Sequence, residues 1–197
     1  MAQPSSTWSW PARAGNLDQQ QPAERCAASR AALDYPKVTW DRLDLTDNAA
    51  IRGWAAQLDE IDWLINAAGI LHTRAHGPEK SIRQIDPAFF LENMRINAWP
   101  VLLPAKHLHG KFRHGRPAVF ATVAAKVGII EDDRPGGWIS YRASKAALNM
   151  GIKTLAIEWR RTLPKVAVVA LHPGTTDTAL SKPFQRNVVC YQFAQFI

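Results

Sequence analysis

Short apolar segments alternate with long helical patterns along most of this chain, and this alternation constrains its fold more than any other feature. A helical pattern of 12 or more residues follows most of these segments, which have the length of buried strands. They lie at residues 25–29, 38–45, 61–65, 117–123 and 165–171. Strands that alternate with helices predict right-handed βαβ units. We therefore expect an α/β fold with a doubly wound parallel sheet, in which helices cover both faces in three layers.

Local signals place the helices between these strands. Thr46 or Asp47 is a suitable N-cap for a helix that runs to about residue 58. Asp86 and Pro87 are typical of the start of a second, longer helix, with the acid as N-cap and proline at the first helical position. Pro100 deprives an earlier carbonyl of its helical donor, so we expect irregular backbone next to Asn97.

Tyr141 and Lys145 stand four residues apart near the start of the helix predicted over residues 140–163. This spacing places both side chains on one helical face. A neighbouring cation favours the phenolate, so the pair is suited to exchange a proton with a hydroxyl or carbonyl group. The spacing alone also fits an ordinary amphipathic helix, and its interpretation depends on the other motifs.

Polar or turn-forming residues follow the predicted strands at their carboxyl ends. In a parallel sheet these ends meet at one edge, where ligands bind. The residues concerned are Arg30, Asp44, Asn66 to Gly69, Thr122, and Pro173 with Gly174. Their order predicts one ligand site at this edge.

Composition excludes several classes of protein. The 197 residues, of which 47% are hydrophobic, suffice for one domain. The net charge of +7 is scattered, and no aromatic-basic module accompanies it, so we expect no nucleic-acid binding. Two cysteines form no disulfide framework, and the histidines lack partners at metal-ligand spacing. We therefore expect no metal site. Since no long apolar run is present, we also expect a cytoplasmic protein without a membrane segment.

Taken together, the motifs resemble the short-chain dehydrogenase/reductase family. The resemblance extends over about residues 25–187, which we predict to be one Rossmann-type domain between atypical segments at 1–24 and 188–197. The sequences around residues 136–138 and 180–184 further resemble the branch of the family named after C-factor. The matching motifs are Asp44-Leu45, Asn66-Ala67-Ala68-Gly69, Asn97, Tyr141 to Lys145, and the run from Pro173 to Thr178.

This resemblance implies a reaction and its catalytic residues. The activity would be NADP(H)-dependent reduction of a small-molecule carbonyl compound, or oxidation of an alcohol. Tyr141 would be the general acid/base. Lys145 would hold the nicotinamide ribose and lower the pKa of Tyr141, and Asn97 would hold a water in the proton relay.

The resemblance also implies a cofactor site. Asp44 and Leu45 would contact the adenine, and Asn66, Ala67, Ala68 and Gly69 would pass under the cofactor. Pro173, Gly174, Thr176 and Thr178 would bracket the carboxamide and pyrophosphate. Arg30 suits a 2′-phosphate, so NADP is favoured, with NAD as an alternative.

Two departures from the family pattern leave the function open. The serine expected at position 124, 125 or 129 is replaced by Ala124, Ala125 or Ile129, and Thr122 is the nearest hydroxyl. The glycine-rich turn after the first strand is degenerate or missing, since Gly15 is the only glycine before Gly53. The alternative is thus a catalytically impaired relative, or a truncated product, that acts in binding or signalling.

The resemblance implies a homodimer as well. Its interface would be built from the helix at 87–110 and the Tyr/Lys helix. Leu148, Ile152 and Leu155 would either face the partner or lie in the core.

Overall fold

A computed structural model describes residues 41–176, 178 and 180–187. These residues contain a parallel sheet of three strands, β1 (Trp63–Asn66), β2 (Ala118–Val123) and β3 (Val166–Leu171), in the order β1-β2-β3. The register pairs Asn66 with Thr122, and Thr122 with Ala170. The predicted α/β class with a parallel sheet is confirmed.

Helices occupy the connections between the strands. They are α1 (Asn48–Gln57), α2 (Pro87–Asn93), α3 (Trp99–Leu108) and α4 (Ile139–Thr162). Short 3₁₀ turns lie at Ile82–Gln84, His109–Phe112, Lys126–Gly128, Ile130–Asp132 and Lys182–Asn187. Both predicted acidic caps are present: Asp47 accepts from Ala49 N–H at 2.7 Å, and Asp86 from Phe89 N–H at 2.7 Å.

A π-helical turn, Met94–Ala98, joins α2 to α3. The Trp99 N–H donates to the Met94 carbonyl, five residues earlier. Pro100 has no N–H to continue the regular pattern, so the backbone widens by one residue. The irregularity predicted next to Asn97 is confirmed.

The main hydrophobic core lies between the sheet and a single layer of helices. Right-handed connections between strands that are neighbours in both sequence and space place their helices on the same face. Phe120, Leu108 and Trp159 are at most 1% exposed at the centre of this core. Leu148, Ile152 and Leu155 belong to the same cluster, so of the two positions predicted for them the core is correct.

The opposite face of the sheet is open to solvent at several apolar positions. Trp63, Ile65 and Leu171 are 50%, 42% and 43% exposed. Strand alternation turns Trp63 away from the helices. The helical layer predicted for this face is not among the described residues.

The predicted strand at 38–45 is not formed over residues 41–45. There the Asp44 carboxylate accepts hydrogen bonds from the N–H and hydroxyl of Thr46, at 2.8 and 2.7 Å. Side chain–backbone bonds of this kind favour a turn over an extended strand. The remainder of that strand, the strand at 25–29, Arg30, and the segments 1–24 and 188–197 lie outside the described residues.

Within the described ranges, no helix is long and apolar enough to cross a membrane. The same ranges contain no group of three or more His, Cys, Asp or Glu residues that could hold a metal ion.

Candidate active site at the carboxyl edge of the sheet

The turn after β1 is fixed by the side chain of Asn66, which is 6% exposed. Its Oδ1 accepts from the Ala68 N–H at 3.0 Å, and its Nδ2 donates to the Pro100 carbonyl at 3.3 Å. The Thr122 hydroxyl, on the neighbouring strand, lies 3.4 Å from the same Nδ2. The predicted turn at Asn66 to Gly69 is thereby attached to both the next strand and α3.

Gly69 lies where the chain passes close to two predicted catalytic side chains. A Cβ atom at this position would stand 3.0 Å from Asn97 Oδ1 and 3.4 Å from Lys145 Nζ. Glycine therefore allows the chain to pass this close to the two side chains. Ala67 is exposed, and Ala68 is half-buried next to it.

Asn97 is fully buried and links three parts of the site. Its Oδ1 accepts from the Ile70 N–H at 2.8 Å, and its Nδ2 lies 2.9 Å from the Ile70 carbonyl. The same Nδ2 is 2.9 Å from Ser144 Oγ and 3.2 Å from Asn93 Oδ1. The two amide hydrogens therefore have three acceptors within reach, and the role of Asn97 in holding a water stays a prediction.

Tyr141 and Lys145 lie together in the first turns of α4. The Lys145 Nζ is 5.8 Å from the centre of the Tyr141 ring and donates to the Val123 carbonyl at 3.2 Å. Lys145 is only 4% exposed and Tyr141 only 9%. The hydroxyl of Ser144 bonds the Tyr141 carbonyl at 2.8 Å and so ties this helical turn to Asn97.

Burial shifts both pKa values toward the neutral forms. It raises the pKa of Tyr141 to about 12 and lowers the pKa of Lys145 to about 8. We expected the ammonium to lower the pKa of Tyr141, and in this structure the shift has the opposite sign. The physical reason is that desolvation of the phenol outweighs the attraction of a cation that is itself desolvated.

The start of α4 is held by a buried carboxylate that the sequence patterns did not reveal. Glu79 is 3% exposed; its side chain accepts from the Ser140 N–H at 3.2 Å and also from the Ser140 hydroxyl. Its backbone carbonyl accepts from the Trp138 N–H at 2.5 Å. The N-cap residue Trp138 makes no capping hydrogen bond with its side chain. Glu79 caps the helix in its place.

The loop after β2 contacts the backbone of α4 directly. A Cβ atom on Gly128 would come within 2.6 Å of the Lys145 carbonyl carbon and 2.8 Å of its oxygen. Only glycine therefore allows α4 to lie this close to the loop. This contact fixes the position of Lys145 relative to β2.

No hydroxyl side chain is found between residues 123 and 130, where the family pattern has a serine. Thr122 is 1% exposed, and its Oγ1 is within hydrogen-bonding reach of Asn66. Ala124 is packed in the core, whereas Ile129 is 44% exposed in the loop.

The predicted adenine contact and the segment after β3 form two local turns. Hydrogen bonds from Thr46 and the charge of Arg95 outweigh burial, so the pKa of Asp44 lies below its ordinary value. Leu45 is buried in a small cluster with Ile51.

Gly174 has a φ of 76°, beside the exposed Pro173.

Ser181 forms hydrogen bonds with two residues of the segment that follows Gly174. Its Oγ donates to the Thr176 carbonyl at 2.5 Å and accepts from the Thr178 N–H at 3.3 Å. Thr178 is exposed and Thr176 half-buried.

The described residues fit one end of a nicotinamide nucleotide. Lys145 has three N–H donors, and among the described residues the Val123 carbonyl is the acceptor found for them. Ribose hydroxyls are suitable acceptors for the N–H donors that remain. Arg30, which is predicted to hold the 2′-phosphate, lies outside the described ranges.

Comparison with known proteins gives a consistent assignment. Residues 16–188 match the family model described as short chain dehydrogenase. The 1-hydroxy-2-glutathionyl-2-methyl-3-butene dehydrogenase of Rhodococcus sp. (strain AD45) is 29% identical over 148 residues, 72% of this chain and 60% of that protein. The C-signal protein of Myxococcus xanthus is 32% identical over 124 residues, 62% of this chain and 70% of that protein.

A solved structure has the same fold. The NADPH-bound carbonyl reductase from chicken fatty liver is 26% identical, with a TM-score of 0.68 over 81% of this chain and 67% of that one. The chain thus spans 60–70% of the length of these three proteins.

Proposed function

Because this chain belongs to the short-chain dehydrogenase family and to its C-factor-like branch, we propose that it is an NADP(H)-dependent oxidoreductase that interconverts a carbonyl compound and an alcohol. Tyr141 is the general acid/base in this proposal. The observation that carries it is the buried Lys145 ammonium, which lies 5.8 Å from the centre of the Tyr141 ring and donates to the Val123 carbonyl.

The proposed roles follow from the contacts of these side chains. NADPH, when bound, would supply the hydride for the carbonyl carbon. The Tyr141 hydroxyl donates its proton to the carbonyl oxygen, and the phenolate that remains is stabilised by the charge of Lys145. Lys145 would also donate to the ribose hydroxyls, while the Asn97–Ser144 bond holds the Tyr141 turn in place.

The pKa values favour the reductive direction at neutral pH. With a pKa of about 12, Tyr141 keeps its proton and is ready to act as an acid. With a pKa of about 8, Lys145 is mostly charged at pH 7. Reductase activity should therefore decline as the pH rises through about 8 and the ammonium is lost.

A binding or signalling role without efficient turnover is the second candidate. The lack of a hydroxyl between residues 123 and 130 favours it, because loss of one donor to a developing oxyanion costs about 10²–10³ in rate. The similarity to C-signal is compatible with either candidate.

Nucleotide titration tests the proposed function. Calorimetry or fluorescence with NADPH and NADH should show saturable binding of NADPH, with weaker binding of NADH. An Arg30→Ala variant should lose about 10-fold or more in NADPH affinity, because a charged hydrogen-bond partner of the 2′-phosphate is removed, and little in NADH affinity. No binding of either nucleotide at millimolar concentration would reject the oxidoreductase.

A further inference from the structure

Three aromatic side chains from separate parts of the chain form a connected group beside Tyr141. Trp138 precedes α4, His72 follows the turn after β1, and Phe184 belongs to the 3₁₀ turn Lys182–Asn187. The ring centres of Trp138 and Tyr141 are 6.3 Å apart, those of Trp138 and Phe184 are 5.2 Å apart, and those of Phe184 and His72 are 5.6 Å apart. Each pair is arranged edge to face, so the rings present both faces and edges to one another and to a ligand.

Trp138 is held in a conformation that an indole residue rarely adopts. Its φ of 52° and ψ of 38° lie in the left-handed region, after Gly136 and Gly137, which also have positive φ. Bonds from its N–H to the Glu79 carbonyl and from the Arg142 N–H to its own carbonyl fix this backbone. Strain of this kind persists where the surrounding structure over-determines it, and it is concentrated at functional sites.

His72 contributes a polar atom that the described residues do not satisfy. Its Nε2 is shielded from solvent and has no hydrogen-bond partner in the described part of the structure. A shielded ring nitrogen without a partner is unfavourable, and a ligand with a complementary polar group relieves this. The group of rings is therefore apolar on the side of Trp138 and Phe184 and polar at His72.

We propose that the group formed by His72, Trp138 and Phe184 binds the substrate, and that the preferred substrates are aromatic carbonyl compounds with a hydrogen-bonding ring substituent. The inference rests on the proposed function, since Tyr141 would protonate the carbonyl oxygen of the same molecule. The substrate ring packs against Trp138 and Phe184, and its polar substituent bonds His72 Nε2.

Matched aldehydes test the preference. With NADPH as the reductant, kcat/KM is measured for benzaldehyde, 4-hydroxybenzaldehyde and cyclohexanecarbaldehyde. Phe184→Leu should lower the ratio of benzaldehyde to cyclohexanecarbaldehyde by about 5- to 10-fold, because an aromatic contact is lost while an apolar one stays. His72→Phe should remove a preference of about 10-fold for 4-hydroxybenzaldehyde over benzaldehyde, because the ring stays and the nitrogen is lost.

His76→Phe is the matched control. The His76 ring is exposed and stacks on Phe89 at 5.1 Å, and no ring contact with the three rings is found for it among the described residues, so both ratios should stay unchanged. If Phe184→Leu and His72→Phe also leave both kcat/KM ratios unchanged, the aromatic site is overturned.

Binding without turnover separates this inference from the proposed function. Calorimetry with 4-hydroxybenzyl alcohol and cyclohexylmethanol, in the presence of NADP⁺, should show tighter binding of the aromatic alcohol, and Phe184→Leu should reduce the difference. If no aldehyde is reduced and this difference is still found, the proposed turnover fails and the aromatic site stands. If both alcohols bind equally, or neither binds, the aromatic site is overturned even when aldehydes are reduced.

Discussion

Burial of the Lys145 ammonium lowers the stability of the folded state. Its ammonium is 4% exposed, and burial lowers its pKa from 10.5 to about 8. A pKa unit corresponds to about 1.4 kcal/mol, so at pH 7 the charged form costs the folded state on the order of 3 kcal/mol. A residue kept at such a cost fits a functional role better than a structural one.

Lys145→Met should therefore raise the free energy of unfolding at pH 7 while it abolishes turnover. Between about pH 8 and pH 10.5 the unfolded wild-type chain binds more protons than the folded one, so wild-type stability rises with pH. The advantage of the variant should shrink over that window. Denaturant unfolding at pH 7, 8.5 and 9.5 measures the difference in unfolding free energy between the variant and the wild type, with the exposed Lys153→Met as control. A difference that does not change with pH would contradict the account.

A second residue-scale prediction concerns the missing hydroxyl. Ala124 is packed in the core, while the Ile129 side chain is 44% exposed next to Gly128, which contacts the Lys145 backbone. Ile129→Ser should thus raise kcat for an aldehyde by about 10-fold or more by supplying a donor to the developing oxyanion. Ala124→Ser should give no gain and lose stability; the reverse result would place the vacant position at 124.

At the scale of elements, the site depends on how α4 is seated. Its first turn is capped by Glu79, its Tyr141 turn is linked through Ser144 to Asn97, and its Lys145 turn lies on Gly128. These three contacts come from three different segments, so the position of the Tyr141–Lys145 pair is set by the loops as well as by the helix.

Gly128→Ala should disturb both stability and turnover. The added methyl would overlap backbone atoms of Lys145 and Ala146 at 2.6 to 2.9 Å, and overpacking of this kind costs about 1–3 kcal/mol. Thermal unfolding and kcat should both fall. Gly110→Ala is the control, since a Cβ there meets nothing within 4 Å; equal effects in both variants would refute the seating of α4 on Gly128.

At the scale of the whole molecule, exposed apolar residues lie on the same two helical segments that we expect to form a homodimer. Leu91, Trp99 and Leu102 are 66%, 46% and 41% exposed, and Met150 and Ile157 on α4 are 67% and 48% exposed. These residues, rather than the buried Leu148, Ile152 and Leu155, are the proposed contact surface.

The combined variant Trp99→Glu and Met150→Glu should shift a dimer to a monomer in sedimentation velocity, because two charges would be buried at the interface. Ile130→Glu is the control, since this residue is 79% exposed on the loop after β2. A wild-type chain that sediments as a monomer would refute the dimer.

The parts of the fold that depend on neighbouring residues were predictable from the sequence, and the parts that depend on distant ones were not. Asp86 and Pro87 start α2 by local hydrogen bonding, and Pro100 perturbs the backbone near Asn97 by lacking an N–H. The Glu79–Ser140 contact joins residues 61 positions apart, and no local pattern indicates it. The sign of the Tyr141 pKa shift likewise depends on burial, which the whole fold decides.

The central claim is that Tyr141 acts as the acid in an NADPH-dependent reduction, and the rate of aldehyde reduction by Tyr141→Phe tests it most directly. The hydroxyl is the only group removed, and the ring contact with Trp138 remains possible. We predict that kcat falls by about 10² or more, as expected for loss of a general acid, while the NADPH affinity stays within about 3-fold of the wild-type value. Reduction of the aldehyde at the wild-type rate by this variant would contradict the account.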